Sequence, residues 1–174
     1  LRDRLQRERD EKLKQPRASA GAKKLCSNAT SFETGGEWSV RAGTALGLYH
    51  SKQGQWSLTV GSEGYEDVVV VDITCHAKWK LASDSHAVLL CIYPCTPGAP
   101  LRRLEALKTD SRIEWEYFAG DTSKIQQLEL PADSSYIVVP MAKHSGAEGE
   151  AAFTLTFECG GAPFDLTYLP PVKR

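Results

Sequence analysis

The sequence predicts an all-β fold: an antiparallel β-sandwich of about eight strands over residues 30–174, preceded by a short charged N-terminal helix. Three observations predict it. Apolar side chains recur with period two, as in "QWSLTV" and "AAFTLTFEC", the spacing of strands with one buried face. Continuous apolar runs, "EDVVVVDITC" and "AVLLCIY", have the length of strands buried on both faces. Stretches carrying Gly, Pro or Ser separate these runs: "SKQG", "GSEG", "PCTPGAP", "PADSS" and "HSGAEGE", the residues that turns select.

Taken in order, "LRDRLQRERDEKLKQ" is built of helix formers and is stopped by Pro16. Its only apolar positions are Leu1, Leu5 and Leu13, too few for a core-facing stripe. It reads as a lone charged helix or as the end of a coiled coil, with "PRASAGAKK" as a flexible connector and residues 1–29 as a lead-in. Residues 1–25 carry nine Lys/Arg against four Asp/Glu, and the remainder twelve against eighteen, so a basic arm precedes an acidic body. Such an arm suits nucleic acid, a membrane or an acidic protein surface. Mixed-sign charge more simply keeps a segment in water, and no nucleic-acid partner is expected.

Within the body, "QWSLTV" places Trp56, Leu58 and Val60 on one face and Ser57 and Thr59 on the other. "EDVVVVDITC" and "AVLLCIY" follow. "RIEWEYF" alternates, with Ile113, Trp115 and Tyr117 inward and Arg112, Glu114 and Glu116 outward. "IQQLEL" and "YIVVP" come next, and "AAFTLTFEC" turns Phe153, Leu155 and Phe157 to the core.

The chain of 174 residues is long enough for one ordinary domain, and its 41% hydrophobic content suits a globular protein. No apolar run reaches the roughly 18 residues that span a bilayer. With no charged-then-apolar leader at Leu1, the chain reads as a fragment or a processed product. The five cysteines, Cys26, Cys75, Cys91, Cys95 and Cys159, are odd in number and irregular in spacing. That is a poor disulfide framework and points to a reducing, cytoplasmic compartment. The acceptor pattern at Asn28–Thr30 then stays unused.

Catalytic constellations fail one by one. A papain-type cysteine site needs a thiolate, a histidine and an orienting Asn or Asp, and the single asparagine, Asn28, lies in the connector. Cys75 and His76 are neighbours on a strand, so they point to opposite faces. "GSEG" breaks the pattern of a serine nucleophile elbow. Cys91 and Cys95 supply two zinc ligands, but no second pair follows. The acids Asp67, Asp72, Asp84, Asp110, Asp121 and Asp133 are scattered, whereas calcium takes six to eight converging oxygens. Weak calcium binding at Glu148 and Glu150 is the one exception, with solvated turn acids as the plainer reading. Arg102, Arg103 and Lys108 form a basic patch suited to acidic phospholipid or an acidic protein face, or a plain surface cluster.

The segment "LPADSSYIVVPMAKHSGAEGEAAFTLTF" carries a resemblance. Leu130, Tyr136, Val138, Val139 and Pro140, then Glu148, Gly149, Phe153, Leu155 and Phe157, fit a strand, loop and strand of the form L-x-P-G-x-Y-x-I-V-P, Gly-x-Glu-Gly, F-x-L-x-x-F. Upstream, Trp38, Thr44, Ala45 and Gly47 fit W-x-x-G-x-x-A-G-G, and Gln55, Trp56 and Leu58 fit N-P-Q-F-x-L. Over about residues 35–160 the chain resembles the β-sandwich domain of calpains, called domain III. It departs from that pattern at Leu46, where the family has glycine, and before Gln55, where Asn-Pro is lost. The family's long acidic loop, held to respond to calcium and phospholipid, has no clear counterpart between Pro140 and Glu148.

The resemblance implies a non-catalytic scaffold domain, itself not an enzyme, that docks on a partner protein or a neighbouring domain in a cytoskeletal or ciliary assembly. The alternative is the calcium- and phospholipid-responsive regulatory domain of a calpain-type cysteine endopeptidase whose catalytic core lies outside these residues. The bend at 141–149 is expected to be a turn joining two core strands. Its Lys143, His144, Glu148 and Glu150 are the candidate contact residues, beside Arg102, Arg103 and Lys108.

Overall fold

Among the described residues of the computed structural model, ten strands make up the architecture: β1 Lys23–Ala29, β2 Ser31–Ser39, β3 Gln55–Val60, β4 Val68–Trp79, β5 Ala87–Pro94, β6 Glu114–Ala119, β7 Thr122–Pro131, β8 Ser135–Lys143, β9 Glu150–Gly160 and β10 Phe164–Leu169. The structure describes residues 21–39, 54–61, 67–79, 87–96, 102–104, 114–119, 122–143, 150–160 and 162–171. The helix expected at 1–15 lies outside the described residues. Sheet A has the order β1-β10-β3-β8-β5-β6 and sheet B the order β2-β9-β4-β7. All pairings are antiparallel. Both sheets turn apolar side chains into one core: Leu58, Val88, Leu90, Ile92, Val138 and Leu166 from sheet A meet Val71, Ile73, Leu155 and Phe157 from sheet B.

An aromatic column ties the two layers together. Phe153 of β9 stacks on Trp38 of β2 with ring centroids 4.2 Å apart, and meets Trp56 of β3 edge-on at 5.7 Å. Trp56 continues to Tyr168 of β10 at 5.0 Å. Room for the Phe153 ring comes from Gly36, where a Cβ would stand 2.8 Å from the ring's Cζ. The sequence reading of Trp56, Leu58 and Val60 as one buried row, and of Phe153, Leu155 and Phe157 as another, matches this core.

The two continuous apolar runs part company. Every residue of β5 from Ala87 to Tyr93 is buried, as expected. Strand β4 instead alternates, with Val69, Val71, Ile73, Cys75 and Ala77 buried but Val68 and Val70 exposed by 41% and 39%. The reason is what lies outside each sheet. The outer face of β5 and β8 forms a second cluster, Leu89, Cys91, Tyr93, Ile137, Val139 and Met141 with Leu169, and Ala22, Cys95 and Leu104 pack against it. No described residue covers the outer face of β4.

Three strands were not read from the sequence. Strand β1 takes up Lys23–Ala29, assigned above to the lead-in, while β2 and β10 lie in stretches to which no element is assigned above. Strand β1 is broken twice in register against β10. At the second break Ser27 and Asn28 stand opposite Asp165. Asn28 adopts φ 58°, and its N–H donates to Asp165 Oδ1 at 2.9 Å. Ser27 and Lys24 also reach this carboxylate, at 3.2 and 3.4 Å. The Asn28 bond foremost, with the Lys24 charge and the Ser27 bond assisting against partial burial, holds the Asp165 carboxyl below the usual range. Sheet B repeats the device. Gln126 and Gln127 bulge opposite Asp72, and Gln127, at φ 54°, donates its N–H to Asp72 Oδ1 at 2.6 Å. A short-range alternation rule cannot see such bulges, because each inserts an unpaired residue.

Strand β8 runs on past Pro140, where the sequence reading stopped it, to Lys143. The bond from Cys95 N–H to Ser135 O, with the register, assigns the odd residues of β8 to β5. Even residues therefore face β3, which pairs only with Ser135–Val138. Pro140 thus lacks an N–H where β8 has no neighbour to receive it, so the ladder loses nothing.

Replacing Gly36 by Ala is expected to destabilise the protein by about 1–3 kcal/mol through overpacking, and Phe153→Ala by about 3–5 kcal/mol. Chemical denaturation followed by tryptophan fluorescence measures both.

Candidate functional site

The connection between Lys143 and Glu150 is a crossover between layers. Lys143 ends β8 in sheet A, opposite Ala87, and Glu150 opens β9 in sheet B, opposite Ser39. The connection therefore joins two strands of different sheets and is not a hairpin. Lys143 and Glu150 are placed by their backbone, while His144 and Glu148 lie outside the described residues.

The basic patch does not survive as one. Arg102 is exposed, but Arg103 is buried, at 8% exposure, and Lys108 lies outside the described residues. The Arg103 guanidinium donates through one nitrogen to the carbonyls of Leu169 and Pro170, at 3.3 and 2.7 Å. Burial pulls its pKa below the ordinary arginine value, and Tyr168 nearby opposes that pull. Arg103 is a brace for the end of β10. A residue-type reading cannot separate two adjacent arginines, since only the packing tells which one turns inward.

Next to it sits a group the residue-by-residue reading missed. Gln55, fully buried at the start of β3, donates its side-chain Nε2 to Leu104 O at 2.9 Å and accepts from Leu104 N–H at 2.6 Å. The side-chain amide pairs with that backbone as a neighbouring strand would. Together Gln55 and Arg103 dock residues 102–104, and Leu104 then packs on the outer cluster of sheet A. The one sequence signal for Gln55 is its place in the Q-F-x-L pattern noted above.

Other polar side chains also hold chain or one another. Asp72 and Asp165 cap bulges. His76, exposed on the outer face of sheet B, pairs its Nδ1 with Thr122 Oγ1 at 2.7 Å. Its neighbour Cys75 is fully buried on the opposite face, as strand alternation requires. All five cysteines are free. Burial drives the Cys75 thiol far up. It pushes Cys159 up to about 12, with Asp72 and then Cys26 adding to the rise. Since the thiolate is the nucleophile, neither group is set up to attack. Among the described residues no three His, Cys, Asp or Glu gather as a metal ion would need, and no helix is long and apolar enough to cross a membrane. No protein-family profile matches the chain, and no curated protein matches it.

What remains open to solvent is the outer face of sheet B. Glu33 and Glu37 of β2, Ala152, Thr154, Thr156 and Glu158 of β9, and Asp72, Thr74, His76 and Lys78 of β4 alternate with the core residues of those strands.

Gln55→Leu is expected to orphan the Leu104 N–H and C=O and to cost about 2 kcal/mol, with faster hydrogen exchange at the Leu104 amide. For the thiols, labelling with iodoacetamide at pH 8, far below the Cys159 value of about 12, is expected to leave Cys75 and Cys159 unmodified in the folded protein. Mass spectrometry after unfolding should find all five cysteines modified.

Proposed function

We propose that the chain is a non-catalytic β-sandwich interaction domain, related to domain III of calpains, that docks on a partner protein or a neighbouring domain. One observation carries this reading: the polar side chains suited to chemistry are turned to bracing the backbone. Gln55, Arg103, Asp72 and Asp165 each bond to main-chain groups. Among the described residues such bracing makes rigid surface, and that is what supports an interaction role. The helix expected at 1–15 would tether the domain to the rest of a larger cytoplasmic assembly, with a cytoskeletal or ciliary setting as the accompanying proposal.

The resemblance to calpains is supported by two places where its motif residues hold the fold. Gln55 and Trp56 of the Q-F-x-L pattern form the strap bond and the aromatic column. Phe153, Leu155 and Phe157 of the final pattern line the shared core.

Cross-linking of residues 1–174 in cell extract, read by mass spectrometry against a Phe153→Ala control that has lost the column, should give a protein partner joined to the folded domain alone. Hydrolysis of a generic casein substrate by the purified chain, or cross-links identical in the control, would sink the proposal.

A further inference from the structure

Strand β2 is a sheet edge with its hydrogen bonds unspent. Cys159 N–H donates to Thr30 O at 2.9 Å, and the register then steps without a break from Ser31–Glu158 to Ser39–Glu150. In an antiparallel ladder, bonded pairs recur at every second residue. The even residues of β2 therefore bond to β9. Ser31, Glu33, Gly35, Glu37 and Ser39 point their N–H and C=O groups the other way, where no described strand lies. Ser31, Glu33, Gly35 and Glu37 are all exposed.

The other three edges are blunted in ways natural sheets use. Strand β1 has two register breaks and two lysines, Lys23 and Lys24. Strand β7 carries the Gln126–Gln127 bulge, Lys124 and Pro131. Strand β6 spans six residues and lies against β7. Strand β2, nine residues long and unbulged, has no register break, proline or lysine, and its charges are the two acids Glu33 and Glu37.

We infer that β2 is a docking strand that takes an extended basic segment of a partner protein as a fifth strand of sheet B. The charge of the site selects the occupant. Glu33 and Glu37 stand on β2 and Glu158 pairs beside Ser31, while β2 and β9 contain no lysine or arginine; one strand further in, on β4, Asp72 and Lys78 offset each other. A second copy of β2 arriving antiparallel about Gly35 would set Glu33 against Glu37, which is repulsive. A strand with Lys or Arg at alternate positions sets opposite charges there instead, and the main-chain bonds supply the rest, as in other strand additions. This inference rests on reading the chain as an interaction domain, and gives that domain its contact surface.

The test uses the whole 174-residue chain and a peptide of about nine residues alternating Lys and Val, with a Glu/Val peptide as its mirror in charge. Amide hydrogen exchange by NMR should slow about tenfold or more at Glu33, Gly35 and Glu37 on adding the Lys/Val peptide, with Thr34, Gly36 and Trp38 protected before and after. Added salt should weaken the effect. E33K/E37K should switch preference to the Glu/Val peptide, and E33Q/E37Q should abolish the preference with the fold least disturbed. Unchanged exchange at the three odd amides overturns the inference. So does protection already present in the chain alone, which would mean an occupant from within, or a dimer by sedimentation, which would mean a second copy. If the peptide fails while folded-state cross-links to a partner persist, the interaction reading stands and only the β2 edge is lost; if both fail, both fall.

Discussion

The structure depends on the Phe153 ring filling the space between two sheets. Phe153 belongs to sheet B, lies flat on Trp38 from its own sheet, and meets Trp56 from the other edge-on. An aromatic ring buries a large area and adds a geometric preference to it, so this contact sets both the spacing and the registration of the layers. It also explains an oddity of β2, a strand with two adjacent glycines. Gly36 yields its side-chain volume to the ring, and at Gly35 a Cβ would come within 2.5 Å of Phe153 O. The glycines that weaken β2 as a strand are what allow β9 to approach it so closely.

A second constraint acts on sheet A alone. That sheet has an apolar outer face that needs covering, and residues 102–104 supply part of the cover. They are held by a pair of bonds from Gln55 and by the buried guanidinium of Arg103. Burying such polar groups is costly unless they are satisfied. Here each is satisfied by main chain, so the strap is specified by bonding geometry as well as by the packing of Leu104. The two sheets thus end differently: sheet A is packed on its outer side along β5 and β8, and sheet B turns outward a mostly polar face that includes Val68 and Val70.

That asymmetry bears on function. Catalytic groups gather where loops are positioned by a scaffold and where pKa values are driven toward the working pH. The shifts seen here run the other way. Burial takes Cys75 and Cys159 further from ionisation, and bonding keeps Asp165 ionised as a structural acceptor. Among the described residues β2 has no strand on its outer side and carries acids along it, the feature on which the proposed recognition role rests.

Much of the fold was legible from residues alone. The all-β class, the inward rows of Trp56, Leu58 and Val60 and of Phe153, Leu155 and Phe157, and the opposed directions of Cys75 and His76 follow from period-two alternation, which is a local property. What lies across a strand is not local. "EDVVVVDITC" and "AVLLCIY" look alike in sequence, yet β4 is open on one side and β5 closed on both, because only sheet A has an outer cover. The bulges at Asn28 and Gln127 hid β1 and disguised β7, since an inserted residue erases the alternation that identifies a strand. Of the candidate site, the sequence named Arg102 and Arg103 as equals, and packing against Leu169 and Pro170 made one of them interior. The chain's own order of side chains determined that two extended layers would close over an aromatic core; which edge was left unpaired, and which acids stand along it, was decided only when distant strands took their places, because hydrogen-bond direction is set by a neighbour and not by the residue itself.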